Sequence, residues 1–196
     1  MEMKLVNINK HQIADISKNL VMKIAGEILI TKGVDALHTK LIAEKLNIRA
    51  KYVEVYFQSA DEILLALYES FNNDFNDFLK GLASKNENPD AELSLLFKQL
   101  YFIFLQKPCH LMLIQEKGII NRNQKTRNAF FEIRKNAINH LTNLIERGKH
   151  QNLFKTNRNT RNLAIHILAG FREMMADEEI VRDKLNELKS LRNNQE

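Results

Sequence analysis

Residues 33–65 read GVDALHTKLIAEKLNIRAKYVEVYFQSADEILL, and this stretch decides the fold. Apolar residues at steps of three and four predict two short helices within it, at about 40–46 and 50–57. Thr39 is the expected N-cap of the first helix, because its hydroxyl can accept a hydrogen bond from a free backbone N–H. Asn47 follows that helix, and asparagine tolerates the left-handed backbone of a tight turn. The stretch therefore predicts a helix-turn-helix motif.

The three-helix core around this motif extends to its N-terminal side. Its expected buried members in the two short helices and the turn are Ile42, Ala43, Leu46, Ile48, Val53 and Phe57. Residues 16–31 carry a single apolar stripe at helical spacing, which predicts a longer amphipathic helix that completes the core. Ser17 or Asp15 is placed to cap this helix, and Gly33 is placed to end it with a positive φ.

The sequence after this motif predicts further helices and no strands. A long helix begins after Ser59, and the run Ser-Lys-Asn-Glu-Asn-Pro at 84–89 marks a loop. Later helices are predicted at 90–106, 111–120, 125–148, 160–175 and 177–191, and Pro108 ends the first of these. We therefore predict an all-α fold, with an N-terminal three-helix helix-turn-helix domain at 1–60 and a larger C-terminal helical domain at 61–196.

The composition agrees with a helical globular protein. The 196 residues include only 6 Gly and 2 Pro, too few for a β-rich chain with many tight turns. The net charge is +5, and residues 1–60 hold nine Lys and Arg against six Asp and Glu, which weakly favours a polyanion partner there. The chain shows no signal peptide and no apolar run of about 18 residues, so a cytoplasmic protein is expected.

The sequence shows no sign of an enzyme or a metal site. It has no HExxH, no Gly-x-Ser-x-Gly, no phosphate-binding glycine loop and no Glu-x-x-His pair for a di-iron centre. Cys109 is the single cysteine, and it can form neither an intrachain disulfide nor a cysteine-rich zinc site. His140 and His166 are isolated histidines with apolar neighbours, for which a structural role is the commoner one. We therefore expect no catalytic residue, no metal and no cofactor.

The stretch at 33–65 resembles the DNA-binding segment of the TetR family of transcription regulators. The positions in step with the family pattern are Gly33, Thr39, Ile42, Ala43, Ile48, Val53, Tyr56, Phe57, Glu62 and Leu64. The order of the later helices also resembles that family, so the similarity extends over nearly the whole chain. The resemblance implies a homodimeric, ligand-responsive transcription regulator, in most cases a repressor, that binds a double-stranded operator and a small-molecule effector.

Several residues depart from the family pattern on the side expected to face DNA. Arg49 replaces the serine that opens the recognition helix, Glu54 replaces a phosphate-binding tyrosine, and Ala60 replaces a lysine. Loss of two phosphate contacts lowers affinity for DNA, and a carboxylate near phosphate adds repulsion. An alternative interpretation is therefore a TetR-like fold with a degenerate helix-turn-helix that acts as a ligand-binding or protein-interaction module.

The resemblance also places the candidate site residues. The predicted DNA-binding residues are Thr39, Lys40, Arg49, Lys51, Tyr52 and Tyr56. The predicted ligand-binding residues are Tyr101, Phe104, Met112, Gln115, Phe130 and His140, for which ordinary core packing is the alternative. Residues 127–147 and 160–175 are the expected dimerisation helices. Their apolar surface would come from Leu163, Ile167, Leu168, Gly170, Phe171 and Met174.

Overall fold

The computed structural model describes residues 17–84 and 88–175, of which 83 and 84 are described by their backbone alone. Within these residues it contains nine α helices and no strands, which confirms the all-α prediction. The helices are α1 (Lys18–Lys32), α2 (Thr39–Lys45), α3 (Ala50–Glu54), α4 (Ala60–Ser84), α5 (Pro89–Gln106), α6 (Pro108–Gln115), α7 (Lys117–Ile120), α8 (Gln124–His150) and α9 (Thr160–Met175). A short 3-10 turn, Val34–Ala36, follows α1. The helix predicted at 177–191 and the cap predicted at Asp15 lie outside the described residues.

The chain divides into two compact units, with the boundary between Leu67 and Tyr68, inside α4. The first unit contains α1 to α3 and the start of α4. Its core consists of completely buried apolar side chains from all four helices: Val21, Ala25, Ile28, Leu29, Ile42, Val53, Ile63 and Leu64. Each of these helices is amphipathic, and packing them together removes their apolar faces from water.

The ends of α1 are those predicted from the sequence. The Ser17 side chain accepts a hydrogen bond from the Leu20 N–H, and Gly33 ends the helix with φ 79°. The prediction of Thr39 as the N-cap of α2 is wrong. His38 is the last extended residue, and its Nδ1 accepts from the Leu41 N–H at 3.1 Å, whereas Thr39 already lies in the helix.

In the second unit, prolines and asparagines set the helix boundaries. Asn88 caps α5 through the Ala91 N–H, with Pro89 in the first turn. Pro108 begins α6 and ends α5 at Gln106, as predicted. The longest helix, α8, begins with a capping box in which Asn123 and Thr126 satisfy each other's backbone N–H groups.

The single helix predicted at 111–120 is instead two helices, α6 and α7. Glu116 separates them in an extended conformation (φ −77°, ψ 105°), and its carboxylate accepts a hydrogen bond from the Gly118 N–H. The prediction overlooked the run Gln-Glu-Lys-Gly at 115–118, which separates the apolar residues at 111–114 from those at 119–120. In the described residues no helix combines the length and the apolar character needed to cross a bilayer.

Candidate nucleic-acid interface and ligand cavity

The turn between α2 and α3 is closed by backbone geometry that the sequence predicted. Asn47 has φ 53°, in the left-handed region. The Ile48 N–H then donates to the Ala43 carbonyl at 2.9 Å, which returns the chain toward α2. Ile48 and Leu46 are half-buried. The two short helices are therefore joined as a helix-turn-helix.

The predicted DNA-binding residues lie on the outer side of this motif. Lys40, Arg49 and Lys51 are exposed, and Tyr56 is 36% exposed. Thr39 and Tyr52 are half-buried. Lys51 Nζ lies 5.2 Å from the centre of the Tyr52 ring, so the cation and the ring form one patch. We call this set of basic and aromatic residues of α2, α3 and their flanks the α2–α3 face.

The helix α3 ends three residues earlier than the sequence predicted, at Glu54. Phe57 is nevertheless buried, with 3% of its surface exposed. The Gln58 side chain donates to the Glu54 carbonyl at 3.0 Å, and the Gln58 N–H donates to the Glu62 carboxylate at 2.7 Å. The connection to α4 therefore uses these polar contacts in place of a further helical turn.

Two of the departures from the family pattern, Glu54 and Ala60, lie at this connection. Glu54 is exposed at the end of α3, and Ala60 is half-buried at the first position of α4. The first turn of α4 adds the carboxylates of Asp61 and Glu62. The connection after α3 is thus rich in carboxylates, whereas Lys40, Arg49 and Lys51 are the cations of the α2–α3 face.

The second unit contains a cavity of about 130 Å³, partly open to solvent. Helices α4, α5, α6, α8 and α9 all contribute to it. The lining residues are Phe71, Phe75, Leu100, Phe104, Ile114, Phe130, Ile133, Arg134, Ala137, Ile165, Leu168, Ala169, Phe171 and Arg172. Around it, the Phe71 and Phe104 ring centres are 5.9 Å apart and those of Phe97 and Phe171 are 4.9 Å apart.

Two of the six predicted ligand-binding residues, Phe104 and Phe130, line this cavity. Gln115 lies beside it and donates to the Arg172 carbonyl at 3.4 Å. Tyr101, Met112 and His140 are half-buried and are not among the lining residues. Sequence reasoning missed the contribution of α4, because Phe71 and Phe75 belong to an apolar stripe that is typical of an ordinary core. It assigned Leu168 and Phe171 of α9 to the dimer surface instead of the cavity.

His140 lies instead in a buried charge cluster between α5 and α8. Its Nε2 is 3.1 Å from Glu92 Oε1, although the two atoms are not aligned as a regular hydrogen bond. The other Glu92 oxygen accepts from the Arg147 guanidinium, and Glu92 is only 2% exposed. Burial lowers the pKa of His140, the Glu92 charge opposes this shift, and Arg147 adds to it. The ion pair with Arg147 compensates the buried carboxylate.

A second polar group lies where α4 meets α6. The His110 ring stacks on Phe71 with ring centres 4.6 Å apart, and His110 Nε2 is 3.9 Å from an Asp74 carboxylate oxygen that Lys107 contacts at 2.5 Å. Burial lowers the pKa of His110 to about 4, and Lys107 acts in the same direction. The imidazole of His110 is therefore neutral at pH 7. Nearby on α4, the Tyr68 hydroxyl donates to the Leu113 carbonyl at 2.6 Å, and burial raises the pKa of this hydroxyl.

Neither a reactive thiol nor a metal site appears in the described part of the chain. Burial raises the pKa of the Cys109 thiol to about 11, so the nucleophilic thiolate is scarce at pH 7. Within residues 17–84 and 88–175, no three His, Cys, Asp or Glu side chains come together in a group that could hold a metal ion.

The helices predicted for dimerisation present a partly apolar outer surface. Phe131 on α8 is 50% exposed and Met174 on α9 is 51% exposed. Gly170 faces open space, since a Cβ added there would meet no atom within 4 Å. Leu168 and Phe171 line the cavity, so part of the predicted set packs inside the subunit.

Comparison with solved structures identifies this arrangement of helices. The regulator MbdR from Azoarcus sp. CIB superposes with a TM-score of 0.76 at 19% identity, over 86% of this chain and 90% of that one. The TetR family transcriptional regulator PfmR from Thermus thermophilus superposes with a TM-score of 0.70 at 16% identity, over 83% and 93%. The chain has the TetR fold.

A third structure with this TetR fold was solved with a ligand. The transcriptional regulator FadR from Bacillus subtilis, in complex with stearoyl-CoA, has a TM-score of 0.70 at 16% identity, over 86% of this chain and 90% of that one. No protein-family model and no curated protein matches the sequence. The similarity is therefore one of fold, and the function has to be argued from this chain's own residues.

Proposed function

We propose that this protein is a DNA-binding transcription regulator of the TetR type, a homodimer and a repressor, whose operator affinity responds to a small molecule in the second unit. The observation that carries the proposal is the α2–α3 face, where a helix-turn-helix carries the exposed cations Lys40, Arg49 and Lys51 together with two tyrosines. Cations and tyrosine hydroxyls contact phosphates, and Arg49 at the start of α3 can also read guanine.

The ligand response is proposed from the cavity and from helix α4. Phe71 and Phe75 of α4 line the cavity, and the same helix begins at Ala60, directly after the helix-turn-helix. A ligand that packs against these rings favours one position of α4 and thereby one separation of the two recognition helices in a dimer. The effect on DNA binding requires different ligand affinities for the two dimer geometries.

The dimer is proposed to form through α8 and α9, with the exposed Phe131, Gly170 and Met174 at the contact. A two-fold axis there would set two recognition helices about one DNA turn apart, suited to a palindromic operator. We assign no catalytic role to the chain and propose that it acts in the cytoplasm, where its operator would lie.

The test is fluorescence anisotropy of labelled DNA from the region upstream of the protein's own gene, against a random duplex, at several salt concentrations. An operator-binding protein gives a steep decrease of affinity with salt and a large preference for the upstream DNA. Replacement of Arg49 and Lys51 by alanine should weaken binding and lower the salt slope by about 1 for each phosphate interaction that is removed. Lys98→Ala, an exposed lysine on α5, is the matched control and should leave binding unchanged.

A second candidate function follows from the carboxylates of the connection after α3. Glu54, Asp61 and Glu62 flank the α3–α4 connection. At this connection the family has residues that bind DNA phosphates. These carboxylates favour a ligand-binding or protein-interaction module that has lost operator binding. Absence of DNA binding at low salt, with an intact dimer, would establish this alternative and reject the regulator.

A further inference from the structure

The lining of the cavity has a polarity that points to a class of ligand. Twelve of its fourteen lining residues are Phe, Leu, Ile or Ala, and the remaining two are Arg134 and Arg172. No carboxylate and no uncharged polar side chain is among the lining residues. A cavity of this kind offers apolar contact to the body of a ligand and positive charge to one end of it.

The arginines stand at the edge of the cavity. Arg134 and Arg172 both line the cavity and are both exposed to solvent. This combination is common for arginines, whose aliphatic stem packs on apolar surface while the charged guanidinium reaches water. The contact between Gln115 and Arg172 uses the Arg172 backbone carbonyl, so it does not occupy the guanidinium.

Several carboxylates of this unit have other cations as partners. Asp74 pairs with Lys107 at 2.5 Å, Glu132 pairs with Lys135 at 3.2 Å, and Glu92 pairs with Arg147. Neither Arg134 nor Arg172 has an ion-pair partner among residues 17–84 and 88–175. Their charges are thus not neutralised within the part of the chain that the structure describes.

The size of the cavity limits the ligand's apolar body. Its volume of about 130 Å³ is close to that of an engineered protein cavity, about 150 Å³, that binds benzene. An apolar group of about six carbon atoms fills such a space. Larger apolar groups require the surrounding rings to move.

We propose that the cavity binds a small amphiphilic oxyanion, with an aromatic or short aliphatic body of about six carbons among the phenylalanines and a carboxylate or phosphate held by Arg134 and Arg172. Guanidinium groups bind both oxyanions through paired hydrogen bonds. The assignment of this ligand as the effector rests on the proposed function. The binding itself does not.

The test is isothermal titration calorimetry on the full chain with hexanoate, hexyl phosphate, hexan-1-ol and hexylammonium. Benzoate and benzyl alcohol form a second pair with an aromatic body. We expect the oxyanions to bind about tenfold or more tightly than the alcohols, about 1.4 kcal/mol by the usual conversion, and the ammonium to bind least. The stronger of hexanoate and hexyl phosphate identifies which oxyanion the arginines favour.

Two sets of variants test the two halves of the site. The double replacement Arg134→Gln and Arg172→Gln should remove the preference for oxyanions and leave the affinity for hexan-1-ol unchanged. The matched control is Arg127→Gln, because Arg127 is an exposed arginine of α8 that does not line the cavity. This control should change neither property. Ala169→Phe should fill the cavity and weaken all probes. Circular dichroism and thermal melting establish that each variant is folded.

Equal affinities for hexanoate and hexan-1-ol, or an oxyanion preference that persists without both arginines, would overturn the proposal. Absence of binding of every probe at millimolar concentration in a folded protein would also overturn it. If the oxyanions bind but leave operator affinity unchanged, the ligand class stands and the ligand-responsive function is rejected. If the protein binds its operator and none of these probes, the proposed regulator survives and the ligand class is wrong.

Discussion

Replacement of Gly148 by alanine should destabilise the protein, against the usual effect of this change in a helix. Gly148 is buried near the end of α8, inside the helix, which continues to His150. After the helix the chain turns back, and the N–H groups of Leu153 and Phe154 both donate to the Gly148 carbonyl, at 2.9 and 3.2 Å. These bonds place the Phe154 ring on Gly148. A Cβ at residue 148 would overlap that ring, with its Cγ only 2.9 Å away.

The sign of the effect depends on which of two terms is larger. In an open helix, Gly→Ala stabilises by about 0.8–1.0 kcal/mol, because alanine loses less conformational entropy. Overpacking a filled site costs about 1–3 kcal/mol, and here the two backbone hydrogen bonds restrict movement of the ring. The difference between these two terms is about 0–2 kcal/mol, so Gly148→Ala should lower the free energy of unfolding by up to about 2 kcal/mol.

A double-mutant cycle with Phe154→Ala makes this reasoning testable. With the ring removed, the overlap disappears, and Gly148→Ala should then stabilise by about 0.8–1.0 kcal/mol. Gly81→Ala is the matched control, because Gly81 is a helical glycine on α4 with no atom near the added Cβ, and it should stabilise in both backgrounds.

Urea unfolding followed by far-ultraviolet circular dichroism measures these free energies of unfolding. The measurements should be made at one fixed protein concentration, because the stability of the proposed dimer would depend on concentration. A stabilising Gly148→Ala in the unmodified chain, or the same sign in both backgrounds, would refute the argument from the Phe154 contact.

Three further predictions concern pH, assembly and DNA. Folding lowers the pKa of His110 from 6.5 to about 4. The stability that depends on its neutral form is therefore complete above pH 6.5 and is lost as the pH falls toward 4. Between pH 7 and 5, urea unfolding should show the free energy of unfolding falling by about 2 kcal/mol more in the unmodified chain than in His110→Gln. Gly170→Leu should weaken dimerisation by about tenfold or more in sedimentation equilibrium, while Gly81→Ala does not, and an unchanged dimer would move the interface away from α9. Glu54→Tyr combined with Ala60→Lys should raise operator affinity about tenfold and steepen its salt slope by about 1, and unchanged anisotropy curves would mean that the recognition helix is misplaced.

The predictable part of the fold depended on residues with strong local preferences. Pro108 ends one helix and begins the next because proline cannot continue an α helix, and Asn47 and Gly33 adopt the positive φ expected of them. Apolar spacing gave the positions of α1, α5 and α9 because each buries one face. In these elements local chemistry and tertiary packing agree.

The errors arose where two adjacent residues could each cap a helix, or where a residue other than proline or glycine interrupted a helix. His38 caps α2 although Thr39 is the commoner capping residue, because the histidine is the one that is extended. Glu116 lies in the polar run at 115–118, where the sequence analysis continued one helix and the chain begins a new one. The cavity was only partly predictable, since Phe71 and Phe75 have the same pattern as core residues, and only the packing of facing helices reveals a gap between them.

The α4 residues around the cavity combine fixed and adjustable contacts. Asn72 and Asn76 accept hydrogen bonds from the Asn136 amide of α8, at 3.4 and 3.2 Å, and each depends on a particular position of α4. Phe71 and Phe75 border a gap instead, so their rings lack part of the contact that a filled core provides. A ligand of the proposed class would supply that missing contact while the asparagine bonds hold. It would then stabilise the arrangement of α4 in which the cavity exists, to the extent that it binds this arrangement more tightly than other arrangements of α4.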